Sequence, residues 1–503
     1  MESRNFHAGH LSLPQMHTVL LTPFVVLWIG AALFAQPVES PLKTDVEIPR
    51  AQLAQLYQRE LGPLYKADQA DALYAAHKLI EQYFAEPDKR KELIKSIEAT
   101  GIDPNLLGRI TRIRMHWPDL KGGVYYVNEK LGPHNVHYFL GVPKAYDRMK
   151  PWPLVIKLPT ADAFVSEPKP DAEQVKRIYV SWMTAELTKH PDAVIIMPLL
   201  NLDELWGPSY TGMNSVIQPM HHAADRVNID PARVYLLGHS MSAHATWNLA
   251  LHYPTYFASI CAMAGGAGAE WQRLRLMNLR NVLPVVWHDT KDDVIKVDSS
   301  RRIVRALRTL KSQVEYDETK ELGHVPPERI VHACYERMRG KARELYPKTV
   351  ALQSNRLDTL FNRNDWIQVY QPTKTGDERR LQFRRGSGFM VIYPNSWKLE
   401  ATRDKNRIDA TTINVEVMRI YLNDQMVDLT KPVTVNVNKR GKFEGIVKPS
   451  VEEMLTDQVF LGRGWRYYTA VIDIDLAPTG TPSTRAATQS TRPAPRATTT
   501  GAR

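Results

Sequence analysis

Residues 234 to 252 read VYLLGHSMSAHATWNLALH and hold the group best placed to do chemistry. Val234 to Leu237 predict a strand, Gly238-His239-Ser240-Met241-Ser242 a sharp turn, and a helix follows from about Met241. A serine at such a turn carries its oxygen above the strand ends. The next backbone N–H and the helix N-terminus then face the place where negative charge develops during attack on a carbonyl. The full pattern for this turn is Gly-x-Ser-x-Gly, and here the last glycine is Ser242. The plainer reading of Ser240 is a helix N-cap. The flanks favour the nucleophile: Asn228-Ile229-Asp230-Pro231 precedes the strand and Ala262-Met263-Ala264-Gly265-Gly266 follows the helix. A serine hydroxyl is a poor nucleophile at neutral pH, so it needs a base in hydrogen-bond reach and an acid to orient that base. The chain has 16 histidines. His239 and His244 flank the turn and are expected to line it. His221 and His222 are adjacent and cannot share one helix face for a metal. No metal-ligand spacing occurs, and no metal or cofactor is expected.

The elements that must position this turn follow from the apolar pattern. From Gly123 to about residue 345, strand and helix signals alternate. Tyr138 to Val142, Leu154 to Leu158, Val194 to Pro198, Val234 to Leu237, Ser259 to Met263, Val282 to Trp287 and Val314 to Tyr316 are short apolar runs, with helical stretches such as Asp171 to Thr188 and Ser299 to Leu310 between them. This pattern predicts an α/β fold with a mostly parallel sheet covered on both faces. Residues 36–120 read as helical. Leu53, Leu56, Tyr57, Leu61, Leu64 and Tyr65 recur at three- and four-residue steps, and Leu73, Ala76, His77, Ile80, Tyr83 and Phe84 repeat the pattern. Residues 346–476 are rich in Val, Ile, Tyr and Thr between turn residues, which predicts a small all-β, sandwich-like domain. The tail, 477–503, is mostly Thr, Ala, Pro, Ser and Arg and cannot bury a core.

The stretch NIDPARVYLLGHSMSAHATWNLALHYPTYFASICAMAGGA closely resembles secreted esterases of the α/β-hydrolase superfamily, those like prolyl oligopeptidases and polyhydroxybutyrate depolymerases in particular. The resemblance covers roughly residues 120 to 340. It implies an eight-stranded, mostly parallel sheet, residues 121–345 as the catalytic domain, and a triad in the chain order Ser, Asp, His. PVVWHDTKDDVIK, residues 284 to 296, is similar to the family's His-Gly-x-x-Asp-x-Val-Val turn, which puts the acid on Asp292. Asp289 stands where the family has glycine, so a one-residue slip to Asp293 stays open. The Gly323-His324 pair after the last strand matches the family's base, His324. The oxyanion donors implied are the backbone N–H groups of Met241 and of Thr160 or Ala161. Relatives carry His-Gly-Gly where this chain has Pro159-Thr160-Ala161, and Pro159 has no N–H to give.

The remaining features bound the setting. The run VLLTPFVVLWIGAALF, Val19 to Phe34, carries no charge and predicts a signal peptide over 1–35. An uncleaved anchor is the alternative, since about 20 apolar residues span a membrane. Either way the globular part lies outside the cytoplasm, in the periplasm or beyond. A formal charge of +11 comes from 65 basic and 54 acidic residues, but they are scattered, with no basic run interleaved with aromatics. Nucleic acid is therefore not an expected partner. Cys261 and Cys334 could pair in an exported chain, but the apolar runs that hold them favour two buried free thiols. Residues 408 to 445 resemble a β domain found behind exported bacterial esterases. Trp465, Tyr467 and Tyr468 are its candidate sugar-binding aromatics, against a plain packing role. The expected partner is an ester, small or polymeric, carbohydrate-linked esters included. A serine peptidase and a binding protein that has lost catalysis are the competing readings.

Overall fold

A computed structural model describes residues 45–131, 134–159, 172–199, 210–357, 361–375, 379–382 and 389–477. The expected signal segment lies outside the described residues, as do Thr160, Ala161 and nearly all of the expected tail. No described helix is long and apolar enough to cross a membrane.

The N-terminal part is a strand pair, β1 (Asp45–Glu47) with β2 (His116–Pro118), enclosing four helices: α1 (Arg50–Leu61), α2 (Ala70–Ala85), α3 (Arg90–Glu98) and α4 (Pro104–Ile110). In α1 the buried stripe is Leu53, Leu56, Tyr57 and Leu61. The stripe was expected to run on through Leu64 and Tyr65. The helix instead stops at Leu61, because Gly62 takes φ 54° and Pro63 follows it, and Leu64 is left exposed. His77 on α2 is fully buried between the Tyr57 hydroxyl at 2.7 Å and the Ile113 carbonyl at 3.1 Å.

Eight strands then form one sheet: β3 (Gly123–Leu131), β4 (His134–Val142), β5 (Trp152–Lys157), β6 (Val194–Pro198), β7 (Ile229–His239), β8 (Ser259–Met263), β9 (Leu283–Asp289) and β10 (Glu315–Thr319). Their order is β10-β9-β8-β7-β5-β6-β4-β3. Every neighbouring pair from β10 to β6 is parallel, and β6, β4 and β3 pair antiparallel. The connections carry α5 (Ala172–Lys189), α6 (Tyr210–Arg226), α7 (Met241–His252), α8 (Glu270–Leu274), α9 (Asp298–Thr309) and α10 (Glu328–Arg339). Strand residues alternate between two cores, as a pleat buried on both faces requires. On β7, Val234 and Leu236 join the core under α6, α7 and α9, while Tyr235 and Leu237 join the one under α5 and α10. Cys261 of β8 and Cys334 of α10 are both free and buried in the second of these cores.

The C-terminal part has a five-stranded sheet in the order β11-β16-β17-β19-β20, a four-stranded one in the order β12-β13-β18-β21, and the pair β14-β15. The strands are β11 (Thr349–Ser354), β12 (Arg363–Asn364), β13 (Ile367–Gln371), β14 (Arg379–Gln382), β15 (Phe389–Ile392), β16 (Trp397–Asp404), β17 (Arg407–Ile413), β18 (Val417–Leu422), β19 (Val433–Val437), β20 (Arg440–Gly445) and β21 (Ala470–Asp475). One helix, α11 (Val451–Leu461), interrupts them and is capped by the Ser450 hydroxyl on the Glu453 N–H. The inner faces of these sheets share a single apolar core with α1 to α4. The three aromatics considered for sugar binding are buried. Trp465 stands edge-on to Tyr256 beside the large sheet, and Tyr467 and Tyr468 pack on Tyr346, so none presents a face to a ligand.

A buried ion pair joins the large sheet to the C-terminal part. The Arg343 guanidinium meets both oxygens of Asp365 at 2.8 and 2.6 Å and also donates to the Phe257 and Asn281 carbonyls, and the Asp365 N–H donates to the Thr255 hydroxyl. Removing one partner of such a pair leaves a buried charge unmatched. Asp365→Ala is therefore expected to lower unfolding free energy by about 3–5 kcal/mol, read from urea denaturation against the parent.

Candidate active site

The turn expected at Ser240 is present, and its geometry follows from close packing. β7 ends at His239 and α7 begins at Met241, with Ser240 between them at φ 56° and ψ −120°. That is left-handed backbone, uncommon for a residue with a side chain. It is held by the Ser240 N–H on the Met263 carbonyl at 2.9 Å and by the Ala243 N–H on the Ser240 carbonyl at 3.0 Å. Gly238 explains why the helix can start so near the strand: a Cβ there would lie 2.2 Å from the Ser242 carbonyl oxygen. Gly265 plays the same part from the next strand end, where a Cβ would lie 2.9 Å from the Ser240 carbonyl oxygen.

Three of the residues expected from the sequence come together. Ser240 Oγ donates to His324 Nε2 at 2.8 Å, and His324 Nδ1 donates to Asp292 Oδ2 at 2.8 Å, the tautomer assigned from these partners. The Asp292 side chain is fully buried, while the His324 side chain keeps 15 % exposure and Ser240 is half-buried. The chain of bonds thus opens to solvent at its serine end. The N–H groups of Val294 and Ile295 donate to Asp292 Oδ1 at 2.9 and 2.8 Å. Burial would raise the Asp292 carboxyl, but the His324 bond and these N–H groups outweigh it and hold it below the ordinary range. Asp293, the alternative register, is exposed.

The surroundings include residues whose part the sequence did not reveal. His239 Nε2 donates to the main-chain carbonyl of His324 at 2.9 Å, and the two rings lie 5.0 Å apart, so the residue before the serine steadies the histidine that meets it. His244 binds the Gly266 carbonyl. His288, fully buried, accepts from the Ser300 hydroxyl at 2.7 Å and donates to the Ile295 carbonyl at 2.7 Å, with its Nε2 only 3.1 Å from Asp292 Oδ2. Asp289, which stands where the resembled family has glycine, is buried. It accepts the Thr319 hydroxyl at 2.7 Å and the Lys291 N–H at 2.8 Å. It thereby ties the loop that carries Asp292 to the end of β10, ahead of His324. Ser242 is buried as well, and its hydroxyl donates to the Pro159 carbonyl. The Met241 N–H, first in α7, follows the serine as the oxyanion reading requires, whereas Thr160 and Ala161 lie outside the described residues. Among the described residues no group of three or more His, Cys, Asp or Glu could hold a metal ion.

A half-buried serine at a strand–turn–helix, a sheet of eight strands that is parallel from β10 to β6, and helices on both faces decide the architecture. The fold is that of the α/β-hydrolases. No family model and no curated protein sequence matches the chain. Among solved structures it resembles a thermostable esterase, with 22 % identity over 44 % of this chain and 63 % of that one at a TM-score of 0.36. It also resembles a candidate dipeptidyl aminopeptidase IV from Bacteroides ovatus, with 15 % identity over 45 % and 37 % of the two chains at 0.34, and a CE1 ferulic acid esterase from Anaeromyces mucronatus, with 13 % identity over 44 % and 89 % at 0.32. The chain thus spans less than two thirds of the first two.

Asp289 yields a pH-dependent prediction. Burial would raise its carboxyl, but the Thr319 hydroxyl and the N–H groups of Lys291, Leu322 and Gly323 hold it below the ordinary aspartate range. A carboxyl whose folded pKa is depressed adds stability above its unfolded value of about 3.9, and that stability is lost as pH falls through the folded value. Asp289→Asn should melt a few degrees below the parent at pH 7, and the gap should close as the pH is lowered below about 4. Thermal melts of both proteins between pH 7 and 3 check this.

Proposed function

We propose that this chain is an exported serine hydrolase that cleaves carboxylic esters through an acyl-enzyme. The observation that carries the reading is the unbroken set of bonds Ser240 Oγ to His324 Nε2 and His324 Nδ1 to Asp292, each 2.8 Å, on a turn that holds Ser240 at φ 56°. In this reading Ser240 Oγ attacks the ester carbonyl carbon while His324 Nε2 takes its proton. Asp292 orients the imidazole and stabilises it once it is charged. The tetrahedral oxyanion faces the Met241 N–H and the N-terminal end of α7. The carbon–oxygen bond to the alcohol then breaks, and His324 returns the proton to that oxygen. A water molecule, deprotonated by the same histidine, attacks the acyl-serine carbonyl. The acid leaves and Ser240 recovers its proton.

The ester class is supported by the resemblance of residues 228 to 267 to secreted esterases, and export by the uncharged apolar run Val19 to Phe34. The fold by itself does not choose a substrate.

A fluorophosphonate should label the parent at Ser240, and Ser240→Ala should take no label while losing about 10,000-fold or more in aryl-ester turnover. The test pairs labelling with a panel of aryl esters and peptide anilides. Near-parental turnover by Ser240→Ala removes the serine from the mechanism, and faster cleavage of the anilides makes the chain a peptidase.

A further inference from the structure

Across the whole sequence the basic residues are scattered, but one helix gathers them. α9 reads DSSRRIVRALRT and carries four arginines in the eight residues from Arg301 to Arg308. Its buried face is Ser300, Ile303, Val304 and Leu307, so the opposite face falls to Arg302, Arg305 and Arg308, all exposed. We propose that this face, with the groove between α9 and the edge strand β10, binds an acidic polysaccharide, a sugar chain with a carboxylate on successive residues. The surface is separate from Ser240, His324 and Asp292, and binding there does not depend on the hydrolase reading.

The charges on this face are not balanced by the chain itself. Arg301 is matched: it donates to the two carboxylate oxygens of Glu318 on β10 at 2.9 and 2.6 Å and to Asp298 at 3.2 Å. The other acids of β10, Glu315 and Asp317, stand 3.8 and 3.7 Å from Arg337 of α10. They therefore point to the opposite side of the sheet, as alternate residues of a strand must. Among the described residues no acid pairs with Arg302, Arg305 or Arg308. Like charges three residues apart on a helix repel one another, so the row is destabilising as it stands and is relieved by an anion laid along it.

Shape and chemistry narrow the anion. Arg301, Val304, Arg305, Arg308, Thr309 and Tyr316 line a groove of about 470 Å³ that is open to solvent. β10 is the edge strand of the sheet, so the groove has no further strand to close it. Arginine meets a planar carboxylate with two parallel N–H bonds, which lysine cannot do. Arg302, Arg305 and Arg308 follow at three-residue steps, each about 4.5 Å of rise along the helix, a spacing on the scale of one sugar unit. A helix that binds a lipid surface sinks apolar side chains into it. Among the described residues no large apolar side chain from Asp298 to Thr309 is exposed. A nucleic-acid strand is held by stacking its bases on aromatic faces. The groove offers one ring, Tyr316, whose hydroxyl is tied to Glu318 at 2.6 Å. A concave, hydrophilic row of guanidiniums fits a carboxylated sugar chain better than either.

The test is calorimetric titration of the full chain with polygalacturonate. Binding is expected at about 0.02 M salt and should weaken at least about 10-fold at about 0.5 M, because exposed charges are screened. The triple variant Arg302→Gln, Arg305→Gln, Arg308→Gln should bind at least about 10-fold more weakly than the parent. Its melting temperature and aryl-ester kcat should stay close to the parent's, since all three side chains are exposed. A second triple variant, Lys439→Gln, Arg440→Gln, Lys442→Gln, removes the same charge from the exposed β19–β20 hairpin and should bind as the parent does. Equal losses in the two triple variants reduce the effect to net charge and overturn the inference. So does equal binding of neutral dextran. Tighter binding to vesicles of equal parts phosphatidylglycerol and phosphatidylcholine, or to an oligothymidylate strand, than to polygalacturonate overturns it as well. A parent that binds the polymer but turns over no ester overturns the hydrolase reading alone. A parent with no affinity for the polymer overturns this inference whether or not it cleaves esters.

Discussion

Ser240 sits at φ 56° and ψ −120°, and holding a residue with a Cβ in such sparsely populated backbone costs about 1–3 kcal/mol. The neighbours that hold it there are contributed by two adjacent strand ends, those of β7 and β8. Met263, at the end of β8, accepts the Ser240 N–H; Gly265 leaves room for the Ser240 carbonyl; Gly238 lets the first turn of α7 settle onto β7. A strained residue persists only where its surroundings over-determine it. Here they do so because β7 lies in the middle of the sheet, flanked by β8 and β5, with an apolar core on each face. Moving Ser240 to relaxed backbone would break the Met263 bond and lift α7 from a contact that only glycine permits.

The same economy of support governs the histidine. An imidazole that passes protons must stay in one orientation while its own charge changes. Asp292 fixes one nitrogen of His324, and the other faces Ser240. His239 then holds the main chain of His324 from β7, and Asp289 anchors the start of the same loop from β9 through Thr319. Asp292 itself is fixed by the N–H groups of Val294 and Ile295, while His288 stands behind it with both ring nitrogens occupied by Ser300 and Ile295. The set is polar and largely buried, which is tolerable because each of these groups has a partner.

What could be read from the sequence was what is local. Ser240 was legible because strand, turn and helix are contiguous and each has its own pattern: apolar run, Gly-x-Ser, then helix. The runs Val194 to Pro198 and Ser259 to Met263 coincide with β6 and β8 residue for residue, since short apolar stretches between turn signals have little else to become. Asp292 and His324 came by resemblance, as a loop residue carries no periodicity of its own. The roles of His239 and Ser242 were not legible, because each is defined by a partner more than 80 residues away. At Trp465, Tyr467 and Tyr468 the sequence favoured packing but kept sugar binding open, since an aromatic cluster in a β-rich segment looks the same in sequence whether it faces solvent or a core. Tyr467 and Tyr468 enter a core built partly from α1 to α4, hundreds of residues earlier, and Trp465 enters the core under α6, α7 and α9; no local pattern announces either.

The position of the site on the sheet follows from the order of the strands. The chain passes from β5 to β6 on one side, then crosses back to place β7 on the other side of β5. At that reversal the connections leave the sheet in opposite directions, so a crevice opens beyond the carboxyl ends of the two strands. Ser240 follows β7 and Pro159 follows β5, and the register pairs Lys157 with Leu237, so the two segments emerge side by side. Ser240 on one strand end thus has, as its immediate neighbour, the strand whose following segment the resemblance assigns to the oxyanion. The strand order accounts for the neighbourhood, and the Ser242 hydroxyl on the Pro159 carbonyl supplies the cross-brace that neither strand contains alone.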